Sequence, residues 1–77
     1  MPFVFIRKNQ VEEIVHGDLK EKYRNMKAFE FRVVELMEFL KEWWATGVLK
    51  TENDLFRGFL YRLNAETGEI VECRIVA

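Results

Sequence analysis

Residues 59–76, FLYRLNAETGEIVECRIV, decide the fold of this 77-residue chain. Apolar and polar residues alternate on both sides of a turn that contains Gly68. Glycine tolerates positive φ, so a three-residue loop that ends at Gly68 can close with a G1 bulge. The stretch therefore predicts a β-hairpin in which Ala65 pairs with Glu69.

This register separates a buried face of the hairpin from a solvated one. Side chains alternate along a strand, so every second residue shares a face. The solvated face then places Arg62 opposite Glu72, a favourable cross-strand charge pair. A four-residue loop shifts the register by one and mixes the faces, which disfavours it. The predicted pairs on the buried face are Leu63 with Val71, Tyr61 with Cys73, and Phe59 with Ile75.

Upstream of the hairpin, the pattern predicts one strand and one long helix. Residues 3–7 are β-branched or aromatic and predict a first strand. Residues 10–16 predict a short helix that ends at Gly17, and Asp18 then resembles the N-cap of a second helix. From Leu19 towards Ala45, apolar residues recur at helical spacing, and Asp18 and Lys22 form an i,i+4 charge pair. Residues 48–57 contain polar turn formers and predict a connection.

Two residues, Phe31 and Phe39, project away from the apolar stripe of the long helix. One explanation is a second apolar face on a continuous helix. The other is a strand over residues 29–33, because Phe29-Glu30-Phe31-Arg32-Val33 alternates in polarity. The helix is the preferred interpretation, and the strand remains the alternative because short apolar runs are ambiguous by periodicity.

Together these elements predict a single small α+β domain over residues 1–77. The order is β-α-β-β, with a three-stranded, mainly antiparallel sheet and one long helix packed on one face. In the alternative, residues 29–33 form an extra strand.

Composition favours a cytoplasmic protein. Cys73 is the only cysteine, so the chain has no internal disulfide, which suits a reducing compartment. The apolar start is too short for a signal peptide, and no apolar run reaches the length of a membrane span. The net charge is −1, which argues against a dominant phosphate-binding surface. Serine is absent and charged residues are plentiful, as in many hyperthermophile proteins.

Residues with catalytic or metal-binding potential are few, so neither an enzyme nor a cofactor or metal site is expected. His16 is the only histidine and has no second imidazole or cysteine cluster to complete a metal site. Cys73 faces the inferred core and reads as a buried structural cysteine. Glu30, Glu35, Glu38 and Glu42 read as a solvated helix face.

Surplus apolar residues predict an interaction module that self-associates as a homodimer. They lie off the helix stripe or off the core face of the hairpin, and clustered exposed apolar groups mark contacts. The alternative is a small protein that binds single-stranded nucleic acid through arginines and aromatic residues. The hairpin register opposes that alternative, because Tyr61 faces inward and Arg62 outward. The predicted interaction surface consists of Phe31, Phe39, Trp43, Leu60 and Ile70.

Overall fold

A computed structural model describes residues 4–76. One helix, α1 (Lys8–Lys22), precedes four strands: β1 (Met26–Met37), β2 (Glu42–Thr51), β3 (Phe56–Asn64) and β4 (Ile70–Val76). The strands form one antiparallel sheet in the order β1-β2-β3-β4, and α1 packs on one of its faces. The predicted α+β class, with one helix against an antiparallel sheet, is confirmed. The sheet has four strands instead of the predicted three.

The long helix predicted from Leu19 towards Ala45 is wrong. The helix ends at Lys22, and the rest of that span forms β1, a turn over residues 38–41, and the start of β2. Phenylalanine and valine are dense in β1, and such residues favour a pleated sheet with packing on both faces. The alternative strand over residues 29–33 is confirmed within β1.

The predictions before and after this region also need correction. Residues 4–7 form no strand, and residue 3 of the predicted first strand lies outside the described residues. Helix α1 continues through Gly17, so Asp18 is an interior residue and not an N-cap. The predicted pair of Asp18 and Lys22 is confirmed, with 2.8 Å between the carboxylate and the ammonium. The predicted connection over residues 48–57 shortens to residues 52–55 between β2 and β3.

The predicted hairpin is confirmed over most of its length. Its pairs Phe59–Ile75, Tyr61–Cys73 and Arg62–Glu72 are present, but Leu63 pairs with Ile70 and leaves Val71 in a bulge. The predicted pair of Ala65 with Glu69 is wrong: the Asn64 N–H donates to the Glu69 carbonyl at 2.8 Å, so the loop has four residues instead of three. The side chain of Asn64 organises this longer loop, because its Oδ1 atom accepts hydrogen bonds from the backbone N–H groups of Glu66 and Thr67. Gly68 adopts a φ of 79°, as predicted.

The core lies between α1 and the sheet face that we call the covered face. Val11, Val15 and Leu19 are fully buried and lie at i,i+4 spacing along α1. They pack against five buried residues of β2 and β3. Burial of each valine, leucine or phenylalanine side chain in this core contributes about 1.5–3 kcal/mol. The buried sheet residues are Ala45, Leu49, Phe59, Tyr61 and Leu63.

Gly47 allows an aromatic ring to lie against the middle of the covered face. A Cβ at this position would fall 2.1 Å from the Glu30 carbonyl oxygen and 2.5 Å from the Phe59 ring. Phe59 in turn contacts Phe31 and Tyr61 in edge-to-face geometry, with ring centroids 5.8 and 6.1 Å away. Glycine is therefore required at position 47 by packing within the chain.

Candidate interaction surface

The second face of the sheet, which we call the open face, has no described helix on it. Its side chains form five cross-strand rows, because residues paired directly across neighbouring strands project on the same side. Both apolar and charged side chains occur in these rows. The rows are Met37–Glu42–Asn64, Glu35–Trp44–Arg62–Glu72, Val33–Thr46–Leu60–Arg74, Glu30–Val48–Gly58–Val76 and Ala28–Lys50–Phe56.

The third and fourth of these rows bring four aliphatic side chains together on the open face. Val33 and Val76 expose 51% and 54% of their surface, and Leu60 and Val48 between them are only partly buried. Phe56, in the last row, is 64% exposed. A contiguous apolar patch on a sheet face is typical of a contact surface, whereas scattered exposed residues are not.

A charged network borders the apolar rows at one end. The Arg62 guanidinium bonds Glu42 through two nitrogens at 3.0 Å and Glu72 through a third at 2.7 Å. Arg74 bonds the other oxygen of Glu72 at 2.8 Å. The indole nitrogen of Trp44 donates to Glu42 at 3.0 Å, and the Arg62 guanidinium lies 5.8 Å from the Trp44 ring. These contacts hold Trp44 and Arg62 in fixed positions on the open face.

The protonation equilibria of this network follow from the same contacts. Hydrogen bonds from Arg62 and then Trp44 hold the pKa of Glu42 below its ordinary value. The guanidinium of Arg62, assisted by Arg74, lowers the pKa of Glu72. The hydrogen bonds to both carboxylates raise the pKa of Arg62. The carboxylates of Glu42 and Glu72 and the Arg62 guanidinium therefore stay charged near neutral pH and form stable ion pairs.

A second polar cluster joins α1 to the covered face. The Tyr61 hydroxyl donates to Asp18, and the same carboxylate oxygen accepts from the Lys22 ammonium. Burial, and then the hydrogen bond to Asp18, raises the pKa of Tyr61. Burial opposes ionisation of Asp18, but the hydrogen bonds from Lys22 and Tyr61 outweigh it and lower the Asp18 pKa. The cluster positions the C-terminal half of α1 on the sheet.

The side chains that could act in catalysis or bind a metal ion lie far from one another in the sheet and helix. His16 stacks on Phe29 with a centroid distance of 4.5 Å, and Cys73 is partly buried on the covered face opposite Tyr61. Three of the four predicted acidic residues, Glu30, Glu35 and Glu42, lie on the open face of a sheet and not on a helix. Within residues 4–76, no group of three or more metal-ligating side chains comes together.

The structure separates the five residues of the predicted interaction surface. Phe31, Trp43 and Ile70 are partly buried and pack against the core, and the Trp43 indole donates to the Ile6 carbonyl at 3.0 Å. Phe39 lies in the β1–β2 turn with 98% of its surface exposed. Leu60 alone belongs to the open face, so these residues do not form one patch.

Other residues of the open face were missed because residues 29–45 were interpreted as helix. Val33, Trp44 and Val48 share a face only when β1 and β2 are strands. The usable signal was the alternation Trp44-Ala45-Thr46-Gly47-Val48-Leu49, in which every second residue now lies on the covered face. Aromatic residues and arginines were expected on opposite faces of the sheet. This expectation is wrong, because Trp44 shares the open face with Arg62.

Comparison with known proteins gives no relative: no family model, no curated protein and no solved structure matches the chain. None of the helical segments in residues 4–76 has the length and apolarity needed to cross a membrane.

Proposed function

We propose that this chain is a non-enzymatic protein-interaction module that self-associates as a homodimer through its open face. The observation that carries the proposal is the apolar patch in the third and fourth rows, on the side of the sheet away from α1. A half-solvated antiparallel sheet usually presents polar residues to water. Here Val33, Leu60, Val48 and Val76 occupy those positions, so this face suits another protein surface better than solvent.

The size of the open face fits a dimer of moderate affinity. Four strands at about 4.8 Å spacing and five rows about 6.8 Å apart give roughly 650 Å² per copy. Two such faces bury about 1,300 Å² together, which lies near the lower end of the range for specific interfaces. We therefore expect a dissociation constant on the order of micromolar for the homodimer.

The charges of the open face favour a second copy of the chain as its partner and disfavour nucleic acid. Its rows contain three basic side chains, Lys50, Arg62 and Arg74, and four carboxylates, those of Glu30, Glu35, Glu42 and Glu72. A face without an excess of positive charge has little attraction for phosphates. It can instead complement itself in part, because Arg74 of one copy can lie beside Glu30 and Glu35 of the other.

Sedimentation equilibrium of the wild-type chain and of Leu60→Glu tests the proposal. Leu60 lies at the centre of the open face, so the substitution places two carboxylates in an apolar interface. We expect dimerisation to weaken at least 100-fold with unchanged circular dichroism. The matched control is Leu55→Glu, which puts the same charge on a 53% exposed leucine of the β2–β3 loop. A wild-type monomer at all concentrations, or equal weakening by both substitutions, would contradict the proposal.

The single-stranded nucleic-acid alternative has one structural observation in its favour, which is that Trp44 and Phe56 share the open face with arginines. Titration with single-stranded RNA and DNA at low salt, followed by tryptophan fluorescence, tests it. We expect no saturable change, because Arg62 is already occupied by Glu42 and Glu72. Saturable, salt-sensitive quenching that Trp44→Ala abolishes would favour the alternative.

The proposed module is cytoplasmic, as its lone cysteine suggests. Cys73 is partly buried on the covered face, away from the proposed interface, so a reducing environment leaves the fold and the dimer unchanged. Addition of a reductant should therefore have no effect on the sedimentation of the wild-type chain.

A further inference from the structure

No contact or backbone angle within residues 4–76 requires a glycine at position 58. It lies inside β3 in a regular stretch of pairing, between Val48 and Val76 on the open face. A Cβ there would meet its nearest described atoms at 3.9 and 4.0 Å, which is ordinary contact. Its φ is not positive, unlike that of Gly68.

A glycine inside a regular strand weakens the strand and commonly marks a site that another molecule approaches closely. Gly47 on the neighbouring strand shows the contrast, because a Cβ there would collide with the Glu30 carbonyl and the Phe59 ring. Gly47 is thus explained by packing inside the chain. Gly58 leaves a notch in the apolar patch, where no described atom beyond its own chain neighbours lies closer than 3.9 Å to the Cβ position.

Charge distribution across the sheet restricts how a second copy can lie on this notch. Glu30 and Glu35 project from β1 on either side of Val33, and within residues 4–76 neither carboxylate forms an ion pair. Arg74 projects from β4 in the same row as Val33. The sheet therefore has a free acidic pair at one edge and an exposed guanidinium at the other.

Two symmetric ways of stacking aligned sheets face to face differ in which strands meet. A two-fold axis across the strands places β1 on β1, so that Glu30 approaches Glu35 of the other copy and the two Arg74 side chains face each other. A two-fold axis along the strands places β1 on β4 and keeps each row above the same row. Arg74 of one copy then lies above Val33 of the other, between Glu30 and Glu35.

The second arrangement also fills the notch. Each row of one copy lies above the same row of the other copy, and β2 lies above β3. Val48 of one copy therefore lies over Gly58 of the other. In the row of Trp44, the indole of one copy lies over the Arg62 guanidinium of the other, a favourable cation–π geometry. Glu35 then faces Glu72, whose charge Arg62 and Arg74 already balance.

We propose, as an extension of the proposed function, that two copies stack their open faces about a two-fold axis parallel to the strands, with Val48 of each copy seated in the Gly58 notch of the other. Arg74 of each copy then lies between Glu30 and Glu35 of the other. The product is an eight-stranded sandwich with one α1 on each outer side.

Substitution of the notch residue separates this inference from a general effect on folding. Gly58→Ala and Gly58→Val should raise the urea midpoint of the monomer, since both residues favour a strand more than glycine does. The same substitutions should weaken dimerisation, by about tenfold for alanine and more for valine, because the added carbons occupy the space of Val48 from the other copy. Unchanged or tighter dimerisation of Gly58→Val would contradict the proposed contact between Val48 of one copy and Gly58 of the other.

Charge reversal tests the orientation. Arg74→Glu alone and Glu30→Lys/Glu35→Lys together should each weaken homodimerisation about tenfold, since two symmetric charge contacts are reversed. An equimolar mixture of these two variants should form a heterodimer with wild-type affinity, because both of its contacts are again complementary. Preferential pairing of Glu30→Lys/Glu35→Lys with the wild-type chain would instead indicate β1 on β1 and overturn the orientation.

Thiol crosslinking gives an independent measure of the orientation. In a Cys73→Ala background, Val33→Cys and Arg74→Cys chains should crosslink to each other through a reagent that spans the roughly 10 Å between packed sheets. Val33→Cys alone should not crosslink to itself. Self-crosslinking of Val33→Cys would overturn the orientation while leaving self-association in place, and a monomeric wild-type chain would overturn the proposed function itself.

Discussion

The bond between Tyr61 and Asp18 provides a test of how α1 is held on the sheet. Tyr61 is fully buried, and its hydroxyl donates to a carboxylate that also accepts from Lys22. A hydrogen bond to a charged group contributes about 1.5–3 kcal/mol. The Asp18 side chain keeps 20% of its surface exposed, so water replaces part of the lost bond. For Tyr61→Phe we expect a loss of about 1.5 kcal/mol in the free energy of unfolding at pH 7.

The pH dependence of this loss identifies its cause. The pKa of Asp18 is lowered in the folded chain, so its contribution to stability is present above the unfolded value of about 3.9. The contribution is lost as the pH falls through the lower, folded pKa. Below that value the hydroxyl donates only to a neutral acid, and the difference between wild type and Tyr61→Phe should fall to about half.

Urea unfolding at a series of pH values measures the effect. The matched control is Tyr23→Phe, because Tyr23 packs against the core and its hydroxyl makes no hydrogen bond within residues 4–76. The control should change stability by less than about 0.5 kcal/mol at every pH. A Tyr61→Phe difference that stays constant from neutral to acidic pH would refute the argument.

Three further substitutions test local features of the fold through thermal or urea unfolding. Gly17→Ala should raise stability by up to about 1 kcal/mol, because Gly17 is exposed inside α1 and no atom of residues 4–76 outside its own helix backbone lies within 4 Å of its Cβ position; a destabilised variant would show that the helix needs this glycine. Gly47→Ala should cost about 3 kcal/mol or prevent folding, since its Cβ meets the Glu30 carbonyl oxygen; a stability near that of wild type would contradict the packing. Asn64→Ala should cost about 1 kcal/mol, because the loop loses two hydrogen bonds to its side chain, and an unchanged midpoint would show that the loop closes without them.

The hairpin could be predicted from sequence because its determinants are local. Gly68 sets the turn, and strict alternation fixes which residues of β3 face the core. The error at Leu63 and Val71 arose because a side chain, that of Asn64, organises a longer loop than glycine alone specifies. Prediction by turn residue and alternation therefore succeeded for the pairing and failed by one residue at the loop.

The first half of the chain could not be predicted in the same way. In β1, apolar residues occur on both faces, since Phe31 and Val34 point to the covered face and Val33 to the open face. A bulge at Arg32 also interrupts strict alternation, so the pattern resembles helical spacing over short windows. Only the pairing of β1 with β2, which is tertiary information, distinguishes strand from helix here.

The open face could not be predicted, because residues 29–45 were interpreted as helix. The sequence indicated surplus apolar surface, but only one member of the predicted set, Leu60, lies on the open face. The aromatic residues off the helix stripe turned out to pack against the core, as Phe31 and Trp43 do, or to occupy a turn, as Phe39 does. The idea of an interaction surface thus persists on a different set of residues.

Concentration-dependent NMR of the wild-type backbone and indole signals tests self-association through the open face most directly. Dilution from millimolar to low micromolar concentration should shift the signals of Val33, Trp44, Gly58 and Leu60 along one saturable curve. The signals of Phe39 should stay fixed. Spectra that do not change on dilution, or changes confined to the β1–β2 turn, would contradict this account.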